Sequence, residues 1–121
     1  MQDCLKKDVV LEMFTVGSHH KNLSIFYITQ NFFSCGKFAR DISLNTHYII
    51  LFNNPRDCLQ ISYLGRQMYP NNSKFLSECY EDATRKAHGY ILFDLTQKID
   101  QRNRIQTNIL PGQMRTIYTP K

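Results

Sequence analysis

Three short runs constrain this chain more than anything else in it: LSIFYIT at 23–29, THYIILF at 46–52 and YILFDL at 90–95. Each is nearly continuous in apolar residues and rich in β-branched and aromatic side chains. Runs of this length fit strands buried on both faces; a helix needs ten or more residues to lay down an apolar stripe.

The spacing between the runs is helical. Leu5, Val9, Leu11, Met13 and Phe14 predict a helix over 5–15, with Gly17 as its stop and GSHHKN at 17–22 as a polar break. Residues 32–45 read as a loop with a helical turn. After the second run, NNPRD is a turn in which Asn54 can cap a helix and Pro55 can open it. That helix is expected over 55–68, around Leu59, Ile61, Tyr63, Leu64 and Met68. Asn72 or Ser73 caps another over 73–86, with Phe75, Leu76, Cys79, Tyr80 and Ala83 as its stripe. Residues 104–110 suit a short edge strand, and 111–121 a loose tail. Strands alternating with helices predict an α/β fold with a mainly parallel sheet and flanking helices. Architectures of that kind usually open on a strand and its phosphate loop. This chain opens on a helix, so an N-terminal portion is expected to be missing.

Composition narrows the function classes. The 121 residues are 42% hydrophobic with only five Gly and four Pro, which excludes a low-complexity or disordered chain. They suffice for one domain or part of a larger one. Cys4, Cys35, Cys58 and Cys79 are far apart and form no CxxC, so zinc and dithiol redox motifs are absent. The start, MQDCLKKDVVLEMF, is charged and unlike a signal peptide, which predicts reduced thiols in an intracellular protein, in the nucleus or cytoplasm. No apolar run approaches the roughly 20 residues of a membrane span. The net charge of +5 suits phosphate backbones, but the charges are scattered and say little alone.

The 23–29 strand would deliver Thr29, Gln30 and Asn31 to its C-terminal end, where open α/β sheets bind ligands. An uncharged amide there can orient water or sense a γ-phosphate. It can equally mark where the strand leaves the core. Other constellations are weaker. His19 and His20 are adjacent and diverge, and no motif joins them to His47 or His88, so no metal site is expected. Glu78 and Asp82 share a helix face that reads as solvated. Tyr63, Tyr69, Tyr80 and Tyr90 read as core or rim aromatics.

Four blocks, GSHHKNLSIFYITQN (17–31), RDISLNTHYIILFNNPRD (40–57), LGRQMYP (64–70) and YEDATRKAHGYILFDL (80–95), resemble the region after the Walker-B motif in the FtsK/HerA superfamily of P-loop ATPases. Within it, they are most similar to genome-packaging ATPases of poxvirus-like viruses and Polinton elements. The resemblance covers about residues 9–110. It implies a partial RecA-like P-loop domain over 1–110, lacking its phosphate-loop portion. It further implies that Gln30 is the γ-phosphate sensor, with Thr29 and Asn31 beside the nucleotide. Arg56 or Arg66, or alternatively Arg40, would act in trans on a neighbouring subunit's site. The full-length relative would use ATP and magnesium and form a ring of identical subunits on double-stranded DNA.

The departures matter as much. No glycine fits GxxxxGK[ST], since Gly36-Lys37 is followed by Phe38 and lacks the earlier glycine. YILFDL imitates an acidic Walker-B strand up to Asp94 but follows the sensor run instead of preceding it. Asp94 therefore reads as a strand-end carboxylate. On this basis the chain should neither hold ATP tightly nor hydrolyse it alone. Met1 would be an internal methionine or the start of a broken gene. The alternatives are a non-enzymatic remnant that binds partner subunits or DNA, and a complete small α/β domain.

Overall fold

The computed structural model describes residues 2–30, 36–56 and 58–121, which form two compact units, 1–46 and 47–121.

The first unit is helical. Helix α1, Gln2–Glu12, continues into a π-helical stretch, Met13–Gly17, and then α2, Ser18–Lys21. Within it Thr15 Oγ1 donates to the Leu11 carbonyl at 2.8 Å and Ser18 Oγ to the Phe14 carbonyl at 3.2 Å. Hydroxyls that bond back to the preceding turn compete with the main-chain ladder and accompany such irregular turns. Gly17 keeps right-handed helical angles, so the expected polar break at 17–22 is largely helix. The chain stops instead at Asn22, whose φ of 49° lies in the left-handed region where asparagine ends helices. Helix α3, Lys37–Asn45, packs against α1 and the π-helical stretch and buries Ile42. Phe14 meets Tyr27 edge to face at 6.3 Å.

Residues 23–29, expected to be a buried strand, have no regular secondary structure. Phe26 is 89% exposed and Ile28 94%. Their composition demands burial, but a strand also needs a neighbour to satisfy its backbone, and none of the described residues forms a ladder with it.

The second unit is a four-stranded sheet with a helical hairpin. Strand β1, Tyr48–Phe52, leads through a turn to helices α4, Leu59–Met68, and α5, Ser73–Ala83. Strands β2, Tyr90–Asp94, β3, Ile105–Thr107, and β4, Thr116–Tyr118, follow. A short 3₁₀ turn, Gln101–Asn103, precedes β3. The sheet order is β1-β2-β3-β4 and every pair is antiparallel.

This overturns the expected mainly parallel, RecA-like sheet. The cause is the number of helices between β1 and β2. One crossover helix returns the chain to the start of the first strand, so the next strand runs parallel. Here α4 and α5 pack on each other as a hairpin across a four-residue link, 69–72. Two reversals bring the chain back to the end where β1 finished, and β2 runs against β1.

The register places Ile49 and Leu51 on the same face as Phe93 and Ile91, with Ile105 beside Phe93. That face meets the hairpin: α5 packs on β2, and Ile61, Leu64, Leu76, Cys79 and Ala83 are buried with Ile91, Phe93 and Ile105. Fully burying a side chain such as Phe93 stabilises the fold by roughly 1.5–3 kcal/mol. Gly65 lets the hairpin close, since a Cβ there would sit 3.2 Å from the Ser73 carbonyl oxygen. Tyr69 and Phe75 stack edge to face at 5.4 Å over the link.

Smaller expectations also shift. Asn54 does not cap α4; its Oδ1 accepts from the Arg56 N–H at 3.1 Å in a local turn, and the helix begins at Leu59. Asn72 takes the N-cap position of α5, without a side-chain bond. The expected 55–68, 73–86 and 104–110 elements shorten to α4, α5 and β3. Residues 116–118, expected to be loose, are β4.

Candidate functional site

Thr29 and Gln30 lie in the first unit, exposed, where 23–29 runs out. Asn31, the third residue expected near a nucleotide, lies outside the described residues. Arg40 is exposed on α3 of the same unit. Arg56, exposed in the turn after β1, and Arg66, exposed on α4, belong to the second unit. The proposed sensor and the two arginines thus fall in different units, and within the second unit no bond joins Arg56 to Arg66. The run that was expected to present Gln30 at a strand end, 23–29, has no regular secondary structure.

Asp94, the one carboxylate in a Walker-B-like run, is occupied. Its Oδ1 accepts from the Thr96 N–H at 3.0 Å and from Thr96 Oγ1 at 2.6 Å. The Arg104 guanidinium donates to the main-chain oxygens of Asp94 at 2.8 Å and Thr96 at 3.3 Å. Asp94 N–H donates to the Arg104 carbonyl at 2.8 Å. A carboxylate closing a turn in this way shapes the exit of β2.

No group of three or more His, Cys, Asp or Glu converges among the described residues. Cys58 and Cys79 are free thiols. Cys58 is exposed. Cys79 is buried in α5, and burial, reinforced by Glu78 and Asp82, pushes its thiol up to about 12. A thiol held neutral is a poor nucleophile. Burial likewise raises Tyr69, opposed by Arg104. On the surface, Asp100 is held below the ordinary carboxylate range by hydrogen bonds from the Arg102 side chain and N–H, at 3.4, 3.2 and 2.9 Å.

A shallow recess in the second unit, lined by Leu51, Phe52, Asn54, Gln60, Ile61 and Tyr80, holds about 20 Å³. That admits a water molecule and falls far short of the several hundred Å³ of a ligand pocket.

The polar ties that organise the C-terminal strands were not foreseen from the residue pattern. Gln106 is buried; its Oε1 accepts from Arg115 Nε at 2.8 Å and Nη2 at 2.5 Å, and its amide donates to the Asn103 carbonyl. Tyr90 Oη accepts from the Ile109 N–H at 2.9 Å. Tyr118 Oη donates to Asp82 Oδ2 at 2.5 Å. Single polar residues in short strands carry no periodic signal; Gln106, flanked by apolar Ile105 in RIQTNIL (104–110), was the one available hint.

No protein-family model, curated protein or solved structure matches the chain. No helix among the described residues is long and apolar enough to cross a membrane.

Proposed function

We propose that the chain is a part of a double-stranded-DNA packaging or translocating motor ATPase of viral or transposon type, without hydrolytic activity of its own. The observation that carries this is the order of four sequence blocks, from GSHHKNLSIFYITQN through YEDATRKAHGYILFDL. The exposure of Phe26 and Ile28 supports it: the run that ends at Gln30 has the composition of a buried strand and lacks a ladder among the described residues. Strands from a polypeptide that carries the phosphate loop and the acidic pair would complete it. Gln30 would then face the γ-phosphate, with Thr29 and Asn31 beside it and Arg56 or Arg66 reaching a neighbouring subunit of the ring. ATP and magnesium would be held by the completed motor.

The test is to read the transcript upstream of the Met1 codon and assay the product. An in-frame GxxxxGK[ST], followed by an apolar run ending in two acidic residues, should be present. The longer product should hydrolyse ATP with a rate that collapses on Gln30→Ala, while the 121-residue chain turns over none. Full activity of the longer Gln30→Ala product, or no such motifs upstream, refutes the proposal.

One observation favours a second function. Residues 47–121 close an antiparallel sheet over a core of their own, which suits a non-enzymatic module that binds partner subunits or DNA. Retention of the chain on duplex DNA at low salt, unaffected by Gln30→Ala and without upstream motifs, would favour it.

A further inference from the structure

We infer that the free edge of β1 is a homodimer interface, in which two copies of the chain pair β1 with β1 about a two-fold axis. This does not rest on the motor function, whose ring would use a head-to-tail contact between subunits.

The direction of the backbone groups follows from the ladder. Leu95 N–H donates to the His47 carbonyl at 2.8 Å, so position 47 faces β2 with its hydrogen-bonding groups. In an antiparallel pair this alternates. Ile49 and Leu51 therefore also turn their N–H and C=O toward β2, opposite Phe93 and Ile91. Tyr48, Ile50 and Phe52 turn theirs away from it. Phe52 bears this out, since its carbonyl accepts from Tyr80 Oη at 2.9 Å and not from β2. Among the described residues, β1 is the terminal strand and has no ladder partner on that side.

An edge in this state is a template for another strand, and proteins usually guard it with charge, proline or a bulge. The opposite edge is guarded: β4 has three residues, preceded by Arg115 and followed by Pro120 and Lys121. The run 48–52, YIILF, has no charge and no proline, and it pairs with β2 over all five residues without a bulge. Its outward face is apolar as well: Tyr48 is 56% exposed, Ile50 46% and Phe52 62%.

A second copy is the occupant because the run is complementary to itself. Antiparallel pairing centred on Ile49 sets Tyr48 opposite Ile50 of the second copy, and Ile50 opposite its Tyr48. These are outward-facing residues, so each pair exchanges both N–H···O=C bonds. Opposed residues lie on the same face, so the exposed Tyr48 and Ile50 side chains cover each other across the axis. This register leaves the Phe52 carbonyl to Tyr80. A partner of opposite charge would find nothing to recognise on this uncharged edge. The net charge of +5 on each copy opposes association, so added salt should strengthen it.

The test is residue-resolved amide exchange by NMR on the full chain at low and high micromolar concentration, with sedimentation equilibrium on the same samples. The expected result is a dimer at the high concentration, with the Tyr48 and Ile50 amides slowed at least about tenfold relative to the dilute sample. Ile49 and Leu51, bonded to β2 at all times, should not change. Ile50→Lys, which leaves the backbone intact, should return the chain to monomer with the Ile49 and Leu51 amides still protected. A monomer at both concentrations overturns the inference. So does a dimer in which Tyr48 and Ile50 still exchange as fast as in the dilute sample, because another surface would then be responsible.

Discussion

Tyr118 Oη donates to Asp82 Oδ2 at 2.5 Å, across 36 residues of sequence, and so fastens the last strand to the end of α5. Burial, and then the Asp82 carboxylate, hold the phenol proton well above its ordinary range. The hydroxyl is thus a committed donor. Tyr118→Phe removes the bond and little else, and should cost about 1 kcal/mol, less than a fully buried charged bond because Asp82 is half exposed. The neighbouring Arg85–Asp82 ion pair, at 3.6 Å with Arg85 largely in solvent, should contribute less than about 0.5 kcal/mol. Urea unfolding of Tyr118→Phe and Arg85→Ala distinguishes the two. Equal small losses would mean that the phenol is no more than a surface contact.

Gly89, just before β2, is required by space. A Cβ at this position would lie 2.4 Å from the Ala83 carbonyl oxygen and 2.9 Å from that of Lys86, and both are backbone atoms. Gly89 N–H also donates to the Lys86 carbonyl at 2.9 Å, which holds the turn tight. Gly89→Ala must push the end of α5 away from β2, and should destabilise the chain by about 1–3 kcal/mol or more. Thermal unfolding checks this. A variant as stable as the parent would show that the turn can open without disturbing β2.

Asp94 offers a direct test of whether its Walker-B-like setting means anything chemical. Asp94→Ala strands the Thr96 N–H and hydroxyl and should cost about 1–2 kcal/mol. Asp94→Asn keeps an acceptor oxygen and should cost less. Neither should alter the response of the melting temperature to magnesium and ATP, which is expected to be nil in the parent. A magnesium-dependent stabilisation that Asp94→Asn abolishes would make the carboxylate a metal ligand.

The elements of the second unit were legible in the sequence, and their directions were not. The runs at 46–52 and 90–95 became β1 and β2; β2 is buried as expected, whereas β1 is an edge strand that leaves Tyr48, Ile50 and Phe52 exposed. The 73–86 stripe became α5. The parallel sheet failed on a point also present in the sequence: two helices, not one, separate those runs, and the Tyr69-Pro70 break between them is too short for anything but a hairpin. Strand β4 was missed because three residues, Thr116–Tyr118, are too few to show alternation. Its place is set by Arg115 on Gln106 and Tyr118 on Asp82, bonds that no local pattern announces. The run at 23–29 shows the opposite error. Its composition suits burial, yet Phe26 and Ile28 are exposed, because composition does not name the neighbouring strand. The site at Gln30 depended on that neighbour, so the sequence could propose its residues and not their arrangement.

Cys79 should give the second unit a measurable alkaline sensitivity. Its thiol is pushed from an ordinary 9.0 up to about 12, chiefly by burial, then by Glu78 and Asp82. The folded chain therefore keeps a proton that the unfolded chain has already lost. Where the folded state binds more protons, stability falls as pH rises. The contribution is full below pH 9 and is lost progressively between 9 and about 12. Tyr118 and Tyr69, also raised, act in the same direction, so the parent alone cannot isolate the thiol. Cys79→Ala can. Its stability deficit against the parent should be constant at neutral pH and should narrow above pH 9, because the variant has no thiol to ionise on unfolding. Alkylation gives an independent check: with iodoacetamide and peptide mapping, the exposed Cys58 should be modified in the native chain and Cys79 only after unfolding. A deficit that stays constant to pH 10.5, or prompt native modification of Cys79, would show that α5 leaves this thiol open to solvent.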